Sequence, residues 1–399
     1  MDYYRLWAAC LYALPGVGPR RYRELLARHG HPRKAWEALA GRLSEAQKQV
    51  FDAGKYAFDA HKHVFAAGKP GPQRFIEPSL LAELLKSTGW RIVLREEEGY
   101  PPLLRAADDS PPLLYWRGKP WPDRTPGVAV VGPRQADGYS LSMGERLGYI
   151  LARAGFAVVS GLARGVDLAA HRGALRAGGY TLGFLGQGLA CRLPPARARV
   201  AEELAREGGL ATEFSPSLPP LPGNFRARNR LIAASSIAVV VVSAARRSGA
   251  LITAGQASAY GREVFCLPHR IDSPLFEGVR GLLEDGANLV LSLERLVEEL
   301  REIASGCGEL HPPGGQDLPE VVETPETQVI SVLGPTPLWP EEIAREAGLP
   351  FSSALTALWE LERKGQVCRL PGGAYVLAEP AVPETASSSA LPGARLSRL

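Results

Sequence analysis

Cysteine is scarce and scattered in this 399-residue chain. Cys10, Cys191, Cys266, Cys307 and Cys368 form no Cys-x-x-Cys pair. An odd, dispersed set argues against a disulfide framework and a zinc site, and it suits a reducing cytoplasm. The start, MDYYRLWAACLYALPG, lacks the basic head and long apolar core of a secretory leader. Long hydrophobic runs are missing too. The longest, Leu231 to Ala245, is broken by Ser235, Ser236 and Ser243 and is shorter than the ~18–20 residues a membrane helix needs. It reads as a helix end feeding a buried strand, and no membrane partner is expected. Catalytic signatures are also absent: no Gly-x-Ser-x-Gly, His-Glu-x-x-His, Cys/His cluster, Walker loop or Gly-x-Gly-x-x-Gly occurs. Glu145, Asp167 and Glu213 are carboxylates for which nothing identifies a partner. The expectation is therefore a protein that is not an enzyme and uses no cofactor or metal.

What is present is ordinary globular composition, 45% hydrophobic and 22% charged, with length for two to three domains. The net charge of +4 is too small to announce a polyanion partner, but its distribution is informative. Residues 110–305 carry +6 (23 basic, 17 acidic), whereas residues 320–379 carry −5 (4 basic, 9 acidic). Residues 1–65 look helical, and Pro15-Gly16-Val17-Gly18-Pro19 before a basic helix start resembles a helix-hairpin-helix (or SAM-like) turn. A plain interhelical turn is the alternative. Residues 66–109 read as a connector with a strand near Trp90–Leu94, and prolines at 101–102 and 111–112 should hold it extended. Over 110–305, uninterrupted apolar strands alternate with helices, which predicts a doubly wound, Rossmann-like parallel sheet of the α/β class. A linker (306–325), a winged helix (326–378) and a disordered tail (379–399) complete the expected order.

Ligands of such sheets sit in the loops at the carboxyl ends of the strands. Gly132-Pro133-Arg134 puts a guanidinium there. In Ser160-Gly161-Leu162-Ala163-Arg164-Gly165-Val166-Asp167, the glycines permit close backbone approach, Arg164 supplies charge and Asp167 can cap a helix. Gly186-Gln187-Gly188 follows the next strand. Asn224-Phe225-Arg226-Ala227-Arg228-Asn229-Arg230 packs three arginines and an aromatic into seven residues, and Ser248-Gly249 opens a later helix. Each has a structural alternative: Arg134 as a helix cap, Arg164 as a solvated charge, Phe225 as core, His171 as packing, and His61 with His63 as a solvated pair. Their convergence favours a phosphate chain with unstacked bases, in which arginines follow the backbone and an aromatic stacks a base.

Together with Gly261-Arg262-Glu263-Val264-Phe265 and Gly286-Ala287-Asn288, these loops resemble the DNA-processing protein A (DprA/Smf) family over about residues 1–378. That resemblance implies sequence-independent binding and protection of single-stranded DNA, and loading of RecA recombinase in natural transformation. It also implies a cytoplasmic homodimer formed through about residues 255–300, with single-stranded-DNA-binding protein as a further candidate partner. By this match Arg134 and Arg164 fall on phosphate-contacting positions, Phe225 on the base-contacting aromatic, and Arg228 and Arg230 on a basic Arg-x-Arg segment. Gly132, Ser160, Gly161, Gly165, Asn224, Arg226, Ser248 and Gly249 complete the expected DNA-binding set. Pro133, Gln187, Arg226, His269 and Leu193-Pro194-Pro195 depart from the family's usual residues. The acidic winged helix should be repelled by phosphates and reads as a protein-contact or packing module. Two other classes remain: a nucleotide-processing phosphoribohydrolase, whose Pro-Gly-Gly-x-Gly-Thr segment is missing from the central domain, and a duplex-binding regulator.

Overall fold

Valine-rich strands stacked side by side organise the first 319 residues, and a smaller helical unit follows over 320–399. The computed structural model describes residues 2–14, 16–40, 78–307, 310, 324–333, 337–363 and 365–377. His61, His63 and the tail lie outside them. The chain opens with α1 (Tyr3–Tyr12), α2 (Pro19–His29), α3 (Pro32–Ala40) and α4 (Pro78–Thr88). Next come β1 (Arg91–Leu94), α5 (Pro102–Ala106), β2 (Leu113–Gly118), β3 (Gly127–Val131), α6 (Gly138–Arg153), β4 (Ala157–Ser160), α7 (Val166–Arg176) and β5 (Thr181–Phe184). Then follow α8 (Pro195–Glu207), β6 (Gly209–Thr212), α9 (Pro222–Ala234), β7 (Ala238–Val241), α10 (Gly249–Ala259), β8 (Glu263–Cys266), α11 (Glu277–Glu284), β9 (Asn288–Leu289) and α12 (Leu293–Gly306).

The nine strands of this sheet lie in the order β1-β2-β6-β5-β4-β3-β7-β8-β9. From β6 to β9 they are parallel, while β2 pairs antiparallel to both β6 and β1. The chain winds outward from β3 to β6, then returns to place β7 on the other side of β3, which creates the switch point at which such sheets present their loops. Both sheet faces are covered. Ala129, Val131, Val239 and Val241 pack with Leu231 and Ile232 of α9 and with Ala250 and Ala254 of α10. Val128, Val130, Val158 and Val240 pack with Leu147 and Leu151 of α6, Val166 and Ala170 of α7, and Leu296 and Leu300 of α12. This double burial is why the strands read as unbroken apolar runs.

The expected strands are found, but the proline-rich segment differs. The strand near Trp90–Leu94 is β1 and joins the main sheet. The segment from Tyr100 to Leu104 is not extended throughout: Pro102 starts α5, because its fixed φ suits the first turn of a helix. Leu113–Tyr115 enter β2. The opening helices share one core with the sheet, since Leu6, Leu11 and Leu25 cluster with Ile92, Leu113, Tyr115 and Leu210.

The second unit holds α13 (Pro325–Val332), α14 (Pro340–Glu346), α15 (Phe351–Arg363) and the hairpin of β10 (Val367–Arg369) and β11 (Tyr375–Leu377), the winged-helix order. Val329, Ile343, Leu358 and Val367 are among its core residues.

Candidate nucleic-acid interface

Arg134 leaves the carboxyl end of β3 exposed to solvent, and its guanidinium carbon lies 5.0 Å from the centre of the Phe225 ring. Phe225 is half-buried on the first turns of α9. It can lie flat on the loop after β5 only because Gly186 has no side chain: a Cβ there would sit 2.6 Å from Phe225 Cδ1. Three elements distant in sequence thus meet in one exposed guanidinium–aromatic pair, held by electrostatic attraction to the ring face.

The loops after β3 and β4 are pressed together. Gly165 has φ +89°, and a Cβ there would fall on the carbonyl oxygen of Pro133. Arg164, immediately before it, is exposed. Beneath them lies a buried charge pair. Asp167 Oδ2 accepts from the backbone N–H groups of Gly161 and Ala163, both at 3.2 Å. Asp167 therefore ties down the loop that precedes its helix and is not the N-cap, which is Gly165. Arg228 Nη1 donates to the carbonyls of Gly161 and Phe184. Burial pulls the Arg228 guanidinium down to about 10, helped by Arg197 and Arg134 and opposed by Asp167. It stays charged at neutral pH. Burial likewise pushes the Asp167 carboxyl up. Arg197, on α8, donates from Nε to the Leu162 carbonyl at 2.8 Å. Burial lowers it, and Arg134 adds to that. Arg134, Arg197 and Arg228 therefore feel one another, with Asp167 the carboxylate buried among them.

These positions correct several sequence expectations. Arg228 is buried and bonded to backbone, so it braces two loops instead of meeting phosphate. Arg230 Nη2 pairs with Glu213, and its Nη1 donates to the Asp109 carbonyl at 2.8 Å. Burial works against the Arg230 charge, but Glu213, Tyr12 and Asp109 outweigh it and push the guanidinium up. The physical reason is that 222–234 is helical: successive side chains turn through about 100°, so the three arginines cannot follow one strand together. Arg226 is the exposed one.

Ser160 is fully buried and donates its hydroxyl to the Val130 carbonyl at 2.7 Å. Gly132 makes room for Val166, and Gly161 for the Arg228–Asp167 pair, so both serve packing. Ser248 caps α10 by accepting from Ala250 N–H at 3.3 Å; Gly249 beside it is exposed and accepts from Asn229 Nδ2, also at 3.3 Å. Asn224 donates to the Pro219 carbonyl at 3.0 Å. Gln187 spans its loop, with Nε2 3.1 Å from the Cys191 carbonyl, and His269 Nε2 sits 3.1 Å from Asp137 Oδ2. Arg197, Glu213 and Asp109 were not singled out as site residues in the sequence. Arg197 counts only as one charge in a basic run, and its partner is 35 residues away.

The chain is thus an α/β protein with exposed arginines at the carboxyl edge of a Rossmann-like sheet, one of them over an aromatic ring, and a winged helix in its second unit. The chain belongs to the DNA recombination-mediator protein A family, whose sequence model matches residues 91–301; the DprA winged helix domain matches residues 313–373. Protein Smf of Escherichia coli (strain K12) is 36% identical over 308 residues, 76% of this chain and 81% of that protein. The X-ray structure of DNA processing protein A (DprA) from Streptococcus pneumoniae shares 33% identity at a TM-score of 0.50, covering 56% of this chain and 82% of that one. DNA processing protein A from Helicobacter pylori, whose structure concerns a single-stranded DNA binding mode, shares 30% identity at a TM-score of 0.48, covering 53% and 96%.

Proposed function

We propose that this protein binds single-stranded DNA without regard to sequence and delivers it to RecA recombinase, as a cytoplasmic homodimer without enzymatic activity. The observation that carries the binding role is the Arg134–Phe225 pair, with Arg164 and Arg226 as its exposed basic neighbours at the sheet edge or on α9. Guanidinium groups neutralise phosphates irrespective of sequence, and a half-exposed aromatic stacks any base that has left a duplex. Family membership is the support for recombinase delivery. For the dimer, the supporting feature is the sheet edge at β9. There Leu289 is exposed and Leu291 is 74% exposed, apolar surface of the kind that marks a protein contact.

Fluorescence anisotropy with labelled oligo-dT and a matched duplex, at two salt concentrations, tests the binding role. Wild type should prefer the single strand. Arg134→Ala, Arg164→Ala and Arg226→Ala should each weaken it and flatten the log–log salt slope by about 0.7, the contribution of one single-strand phosphate. Equal binding by all three variants would move the site elsewhere.

A further inference from the structure

A cavity of about 280 Å³ lies between the turn that joins α1 to α2 and the loop after β6. It is walled by Tyr12, Val17, Gly18, Tyr115, Glu213 and Ser215, among others. Its volume is far above the roughly 10–15 Å³ that a single water needs on this measure. Three features mark it as built for a ligand. Ser215 is 7% exposed, yet its buried hydroxyl has no partner among the described residues. Glu213 is buried in the wall. Its recorded bonds, from Tyr12 Oη at 3.3 Å and from Arg230, both fall on Oε2, which leaves Oε1 as the acceptor a ligand would meet. The rim is the N-terminus of α2, where no side chain caps the helix and Pro19 occupies the first turn. The unpaired first-turn N–H groups are then those of Arg20 and Arg21, whose exposed side chains both pair with Glu24, at 3.1 and 3.3 Å.

We propose that this cavity is a nucleotide site: it takes a base bearing an exocyclic amino group, with the phosphate at the start of α2. A carboxylate accepts from the amino group of cytosine, whereas uracil or thymine would turn a carbonyl oxygen toward it. Tyr12 and Tyr115 are among the wall residues, and the unpaired first-turn N–H groups of α2 attract the phosphate. The cavity adjoins the interface described above. Gly188 N–H donates to the Leu218 carbonyl at 2.8 Å and Ala190 N–H to the Pro216 carbonyl at 3.0 Å, which ties the loop beside the cavity to the loop on which Phe225 rests. The base comes either from a free mononucleotide or from a bound strand; the second source rests on the proposed single-strand binding and sets one base position apart from the phosphate contacts at the sheet edge, which ignore sequence.

Two titrations separate these sources. Calorimetry with dCMP, against dUMP as control, probes the free nucleotide; anisotropy compares oligo-dC with oligo-dU. Ala13→Phe places a ring in the cavity and leaves Glu213 itself unchanged, and Ser215→Ala removes only the unpartnered hydroxyl. The expected result is that wild type favours dC over dU by about tenfold in one or both formats, the scale of one hydrogen bond to a charged group. Ala13→Phe abolishes the preference and Ser215→Ala reduces it, while both variants still bind oligo-dU. A preference in the calorimetric arm assigns the site to free nucleotide; one confined to the strand assigns it to a bound base. Equal binding of dC and dU in both formats, or a preference that survives in folded Ala13→Phe, overturns the proposal. If wild type bound no oligonucleotide at all, the single-strand reading would fall and dCMP would still decide the cavity.

Discussion

At the scale of single residues, the same side-chain type has opposite duties according to burial. Arg134 is exposed and lies over Phe225, whereas Arg228 is buried and holds two loops through their carbonyls. Removing the first should affect ligand affinity; removing the second leaves the buried Gly161 and Phe184 carbonyls without their donor. Arg228→Ala is therefore expected to cost about 1–3 kcal/mol of stability for each carbonyl left unsatisfied. Denaturant unfolding checks this against Arg134→Ala, which should unfold at the wild-type midpoint.

His171 supplies a pH dependence. Thr181 Oγ1 donates to the Val158 carbonyl, so His171 Nδ1, 2.7 Å from Oγ1, carries the proton and donates to it. Nε2 has no partner among the described residues, and burial pulls the ring down to about 3. Because the folded value lies below the unfolded ~6.5, the unfolded chain takes up protons first as the pH falls. Stability is therefore unaffected by this group above about pH 6.5 and declines below it, by about 2 kcal/mol at pH 5. Denaturation of His171→Asn should show a smaller loss between pH 7.5 and pH 5; an equal loss would place the acid sensitivity elsewhere.

At the scale of elements, α9 decides how the basic segment works. Helical geometry directs Arg228 into the core, Arg230 toward Glu213 and Asp109, and leaves Arg226 outside. Phe225 sits at the turn nearest the loop after β5, where Gly186 admits it. Phe225→Ala is expected to weaken oligo-dT binding by about 1–3 kcal/mol, the worth of one stacked base, and Phe225→Trp should retain it. Anisotropy on both variants checks this, and equal losses in the two would argue that the ring only fills space. The central strands β3 to β7 were legible because each buries both faces and so reads as an apolar run. The roles of Arg228 and Arg230 were not, since nothing in Arg-Ala-Arg-Asn-Arg distinguishes a charge that meets solvent from one that meets Phe184 or Glu213. α5 was misread because two adjacent prolines look extended until the second is placed at a helix start.

At the scale of the whole molecule, charge is divided between the two units: the sheet unit carries the basic loops, and the winged-helix region from 320 to 379 carries −5. Its helix α15 exposes Phe351, Leu355 and Trp359 at helical spacing, a face poorly suited to phosphates. The proposed dimer belongs to this scale too. Leu291→Asp should convert a dimer to a monomer in sedimentation velocity, because a carboxylate placed in an apolar contact must be desolvated; an unchanged mass would remove β9 from the interface.

The sequence alone determined the strand–helix alternation from β3 onward, the doubly covered parallel sheet with the loops at its carboxyl edge, and the winged helix, because period, strand burial and turn chemistry are local properties of the chain. Only the tertiary structure decided which arginines face outward, that Asp167 is buried within the field of Arg228, and that the turn between the first two helices borders a cavity with Glu213. Those outcomes depend on contacts between residues far apart in the chain, such as Arg228 with Gly161 and Tyr12 with Glu213, which no local pattern encodes.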